Sequence, residues 1–160
     1  MRWDGSATVI IREGTCGVRI DIGGGTFSPE GWINLDPAHG EGEWKRRIQD
    51  GIPMPDDSVE AVRCSHLMEH IPAGAERIFV MNEVHRVLVP GGTFEIIVPL
   101  LTGSWHAIAD PTHVSFWVYE SFLYFTGEFQ PHATYGIKFW QMVNWFVREG
   151  FEGNALLRKP

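Results

Sequence analysis

The chain has 160 residues, of which 44% are apolar, 21% charged and 12% aromatic, with a formal net charge of −7. This is one domain's length with enough apolar material for its own core, which excludes disorder as the dominant state. The acidic balance argues against nucleic acid as the main partner.

No apolar run approaches the roughly 20 residues needed to cross a bilayer, so no membrane partner is expected. The start, Met1-Arg2-Trp3-Asp4-Gly5, shows no signal peptide. Cys16 and Cys64 are too few for a disulfide scaffold, and a cytoplasmic protein is expected.

In chain order, residues 8–11 are apolar but take no assigned element. Residues 18–22 read as a strand, β-branched and running into Gly23-Gly24-Gly25. Residues 32–35 read as a second strand ending at Asp36-Pro37, and a third is open near 46–48. After a loop at 51–55, residues 59–64 read as a strand. Residues 75–88 carry apolar side chains at 78, 81, 84 and 88, the stripe of a helix. Pro90-Gly91-Gly92 is read as its stop. Residues 93–98 form a near-continuous apolar strand. Residues 118–125 and 139–148 read as helices, and 154–158 as a last strand. Strands alternating with helices imply a parallel sheet, which binds ligands beyond the carboxyl ends of its strands.

Three features stand at such ends. Asp21 leads into Gly23, Gly24 and Gly25, where bare backbone can approach a ligand. Asp36 ends the second strand, where an acid can accept both hydroxyls of a ribose. Asp50 precedes Gly51 and Ile52. Each also has a plain reading, as a tight turn or a solvated turn acid.

Four ordered segments sharpen the reading. They are Ile52-Pro53-Met54-Pro55-Asp56-Asp57-Ser58-Val59, Cys64-Ser65-His66-Leu67-Met68-Glu69-His70, Glu83-Val84-His85-Arg86-Val87-Leu88-Val89-Pro90-Gly91-Gly92, and Asp110-Pro111-Thr112-His113-Val114 with Glu120-Ser121-Phe122. Together they resemble class I S-adenosylmethionine (SAM)-dependent methyltransferases, most closely the small type-11-like members, over about 18–125.

The resemblance implies an α/β, Rossmann-like doubly wound, mostly parallel sheet with helices on both faces. It implies SAM as cofactor and S-adenosylhomocysteine as product. Asp21, Gly23, Gly24 and Gly25 would surround the methionine part, and Asp36 would hold the ribose. Asp50, with Gly51 and Ile52, would meet the adenine edge, while Ser65 and His66 would line the sulfonium end.

The chain departs from the family pattern in two ways. Phe27 stands where a third glycine is common. Only about ten residues join the first two strands, too few for the usual crossover helix, so a loop is expected instead.

Rival readings use the same residues. His66-Leu67-Met68-Glu69-His70 spells H-x-x-E-H, with Glu69 as base of a zinc hydrolase. Ile71-Pro72 closes the segment too soon for the long helix that zinc pattern needs, and no metal site is expected. An NAD-dependent oxidoreductase lacks its third glycine and the room for a helix. The motif of amino-group DNA methyltransferases is absent after the fourth strand. A non-catalytic cofactor-binding or scaffolding module stays open as the alternative to an enzyme.

The expected acceptor is a small molecule methylated on O or N. His66, His70, His106, Asp110 and His113 are candidate bases. The resemblance favours His113 and Asp110, and the ranking is His113 first, His70 second.

Of 20 aromatic residues, 13 lie between Trp105 and Phe146. The spacing of Phe139, Val143 and Phe146 suggests core packing. An acceptor pocket or a homo-oligomer interface through this region are the alternatives. The division expected is a single methyltransferase-like domain over 1–160. Within it, 1–17 is an N-terminal segment, 18–100 a cofactor-binding core and 101–160 an aromatic-rich acceptor side. With so little chain after Gly150, the final antiparallel strands are expected to be incomplete or completed by another subunit.

Overall fold

A computed structural model describes residues 17–102, 105–129 and 134–160. The apolar stretch 8–11 and Cys16 lie outside the described residues. Among those described, no helix is long and apolar enough to cross a membrane.

Strand β1, Val18–Ile22, forms where β-branched residues alternate with polar ones, burying Ile20 and Ile22. A single 3-10 turn, Gly25–Phe27, takes the place of a crossover helix before β2, Ile33–Leu35. The expected loop is therefore present, and Phe27 stands 90% exposed on it.

The open assignment at 46–48 resolves into two 3-10 turns, Gly42–Trp44 and Ile48–Asp50, and not a strand. Strand β3, Val59–Ser65, buries Val59, Ala61, Val62 and Cys64. Helix α1, Ala75–Val87, buries Val80, Met81, Val84 and Val87 on one stripe.

Strand β4, Leu88–Pro99, begins as soon as α1 ends. The expected stop at Pro90-Gly91-Gly92 thus lies inside a strand. Val59 pairs with Leu88 but Ala61 with Thr93, so Pro90 to Gly92 bulge out of the ladder. The bulge is tied down by Gly91 N–H to the Lys159 carbonyl (2.8 Å) and Lys159 N–H to the Gly92 carbonyl (3.0 Å). Two short helices follow, α2 at His106–Ala109 and α3 at Tyr119–Leu123. Helix α1 is the only full-length helix among the described residues.

The expected helix over 139–148 is instead β5, Gln141–Arg148. It forms a hairpin with β6, Glu152–Arg158, through Glu149 (φ 51°) and Gly150 (φ 75°) in the left-handed region. Two influences override the helical spacing. Val143, Trp145, Phe146 and Val147 are strong strand formers. The pairing of β6 with β4 also creates an edge that β5 completes. Phe139, Val143 and Phe146 are exposed, so the core reading of that stripe fails. The deep aromatic core is made by Trp117, Trp140, Phe94 and Phe122.

The six strands run in the order β2-β1-β3-β4-β6-β5. The first four are parallel and the last two antiparallel, and all are present in the single chain. A row of polar groups crosses four of them. Arg63 Nη1 lies 3.1 Å from Asp21 Oδ1, Arg63 Nε lies 3.5 Å from Glu95, and Asn154 Nδ2 donates to Glu95 at 3.1 Å.

Candidate active site

Strand order reverses between β1 and β3, so their carboxyl ends splay into a crevice. A cavity of about 250 Å³ opens there, lined among others by Gly23, Asp36, Ile48, Leu67 and His70.

Gly23 turns the chain out of β1 at φ 69°, and its N–H donates to the Leu35 carbonyl at 2.9 Å. A side chain at Gly24 would collide with Asp21 Oδ2 and Asn34 Oδ1. Gly25 is tied to β2 twice, its N–H donating to Asp36 Oδ2 (3.2 Å) and its carbonyl accepting from Asn34 Nδ2 (2.8 Å). Asp21 itself is fully buried and paired with Arg63. Burial pushes its carboxyl above the usual range, against the pull of Arg63. It supports the glycine loop from beneath.

Asp36 faces the cavity with its side chain 12% exposed. Burial opposes its ionisation. Hydrogen bonds from the backbone N–H groups of His39, Ala38 and Gly25 outweigh that and hold its carboxyl below the usual range. Asp36 is thus a fixed acceptor at the end of β2.

The other expected contacts fall differently. Asp50 is exposed, 3.6 Å from Arg47, and is not among the residues lining the cavity. The N–H of Ile52 donates to Glu83 Oε1 (2.8 Å), and its carbonyl accepts from Arg86 (3.1 Å), with Gly51 at φ 85° leading into it. Ser65 ends β3, and His66 follows at φ 53°, unusual for a side-chain-bearing residue. The His66 imidazole bridges Glu69 (3.3 Å) and Glu152 (2.7 Å). The hydrogen bond to Glu69, seconded by Glu152, raises its pKa against burial.

The three candidate catalytic residues come together from distant positions. The 3-10 turn Met68–His70 follows β3. Its carbonyls anchor the later segment: Val114 and Ser115 N–H donate to Glu69 O, and Ser115 Oγ to Met68 O (3.0 Å). Trp117, stacked under Arg77 at 4.2 Å, packs behind. This docking brings the His113 ring to 4.9 Å from that of His70, edge to face. His113 Nε2 lies 3.8 Å from Asp110 Oδ2. Asp110 accepts from the Thr112 hydroxyl (2.6 Å) and backbone N–H (2.8 Å), which lower its pKa. His106 stacks between Trp105 and Phe151.

Sequence reasoning gave no site role to Arg46 and Arg47, which line the cavity beside Ile48. It also missed that Glu69 turns inward, only 2% exposed.

Residues 38–96 match the family model described as a methyltransferase domain, of type 11. Over that stretch the chain is similar to the type-11 methyltransferase family. The match spans β3, α1 and most of β4, with Asp36 just before it. No curated protein matches the chain in sequence.

Solved structures show a likeness of fold over nearly the whole chain. A SAM-dependent methyltransferase from Thermotoga maritima superimposes with a TM-score of 0.63 at 14% identity, over 94% of this chain and 84% of its own. One from Methanosarcina mazei gives 0.60 at 13%, over 91% and 93%. The cyclase SpnF gives 0.60 at 15%, over 90% and 75%. At these identities the likeness is one of fold, and the chain has the Rossmann-like α/β architecture.

Proposed function

We propose that the protein binds SAM in the crevice between β1 and β3 and transfers its methyl group to a small-molecule oxygen or nitrogen. The observation that carries this reading is Asp36, an ionised acceptor held on backbone N–H groups at the mouth of the cavity. Its position suits paired ribose hydroxyls. The bare Gly23–Gly25 loop lets a cofactor approach the backbone, and no basic residue of the loop opposes a sulfonium.

When bound, SAM supplies an electrophilic methyl group on a positively charged sulfur. The residues here orient the partners, since in-line displacement gains most from positioning. His113 or His70 would take the acceptor's proton, each imidazole having one nitrogen not engaged by backbone. Asp110 would stabilise the imidazolium that forms on His113.

Calorimetric titration with SAM and S-adenosylhomocysteine tests the reading. Saturable binding is expected, with Asp36→Ala weakening it at least about tenfold, the loss of one charge-assisted hydrogen-bonding group. No binding at millimolar concentration, or an unchanged affinity in the variant, refutes it.

A further inference from the structure

Glu69 is an acid in an apolar place. It is 2% exposed, beside the fully buried Met68, and its Oε2 has no hydrogen-bond partner. Its Oε1 meets His66 at 3.3 Å. An orphan carboxylate oxygen at such depth is costly unless something positive reaches it.

Two imidazoles stand beside it. The His70 Nδ1 contacts are with the Thr112 carbonyl (3.2 Å) and hydroxyl (3.3 Å). A carbonyl only accepts, and that hydroxyl already donates to Asp110. His70 Nδ1 therefore carries the proton, and Nε2 keeps its lone pair. His113 repeats the arrangement, with Nδ1 at 2.9 Å from the Ala107 carbonyl. An imidazole fixed by Nδ1–H on a backbone carbonyl is the usual posture of a metal-bound histidine. One donor atom from each of Glu69, His70 and His113 falls within 4.8 Å of the others. Bonds of about 2.1 Å to a tetrahedral ion put donor atoms about 3.4 Å apart, so the three side chains would draw in on the ion by rotation about their side-chain bonds.

We propose that Glu69, His70 and His113 bind a divalent transition-metal ion at the rim of the cavity. Two imidazoles and a carboxylate suit zinc, iron(II) or cobalt(II) better than magnesium or calcium. Three protein ligands leave positions open on the ion, and His70 sets them beside the cavity. The ligand set differs from H-x-x-E-H: His66 is turned to Glu152, Glu69 is a ligand and not a base, and the third ligand comes from 43 residues downstream of His70. The site stands whether or not the chain transfers methyl groups; with the ion bound both Nε2 lone pairs are on the metal, so the base role of these histidines belongs to the metal-free chain.

The test is metal binding by the full chain, stripped with chelator and without SAM. Cobalt(II) is titrated by visible absorption and zinc by calorimetry. One ion per chain is expected, with His113→Gln and Glu69→Gln each weakening binding at least about tenfold. His85→Gln, on the outer side of α1 against Trp140, should stay within about threefold, well inside that effect. Circular dichroism checks that each variant folds. The wild-type cobalt spectrum is decisive even if Glu69→Gln fails that check. Absence of saturable binding up to millimolar metal overturns the proposal. So does binding that survives His113→Gln.

Discussion

Asp36 shows how one carboxylate acquires a fixed charge. Three backbone N–H groups converge on it, two from the turn that follows and one from the glycine loop. Its pKa lies below the ordinary 3.8, so its contribution to stability is complete above that value and is lost as pH falls through the depressed one. The stability gap between wild type and Asp36→Asn, read as a urea midpoint at pH 6, should therefore shrink on acidification to pH 3. A gap that widens refutes this account. Asp36 was legible in the sequence because its place, at the end of a short strand, is dictated by topology. Glu69 was not. Its neighbours Leu67, Met68 and Ile71 say that the segment is buried, but nothing in the spacing says that the acid is buried with them.

At the scale of elements, α1 holds more than an apolar stripe. From its outer side Glu83 accepts the Ile52 N–H at 2.8 Å, and Arg86 reaches the carbonyls of Ile52 (3.1 Å) and Met54 (2.9 Å). Arg86 keeps the Glu83 carboxyl ionised and low in pKa, with the Ile52 N–H helping against burial. The loop before β3 is thus stapled to the helix after it. Glu83→Ala leaves a partly buried N–H unmet and should cost about 1–3 kcal/mol in a urea titration; a cost near zero refutes the staple. The β5 misreading belongs to this scale as well. Phe139, Val143 and Phe146 satisfy a helical period, yet the choice between helix and strand was made by an open sheet edge far away in sequence.

The whole molecule closes through its last strand. Seven registered pairs join β6 to β4, burying Ala155 and Leu157 against Phe94 and Ile96. A chain ended at Trp140 would leave that side of β4 unpaired and wet. It should lose the cooperative urea transition, and a transition with unchanged midpoint refutes that. The parallel half, from β1 to β4, was readable from strand-like runs broken by Gly and Pro. The antiparallel half was half-readable: 154–158 shows its strand, but the partner of β6 depends on register that no local pattern carries.

The missing crossover helix also has a consequence in time. Through the short link Ile20 pairs with Ile33, whereas Ile96 must find Ala155 at roughly four times that separation. Closing the longer loop costs about 1 kcal/mol more in chain entropy, at about 0.6 kcal/mol per doubling. A parallel pair is ordinarily among the slow contacts to form. Here β1 and β2 can meet almost as a hairpin would, so the floor beneath Asp36 is inexpensive to assemble early, and the clasp of β6 on β4 is the contact that folding waits for.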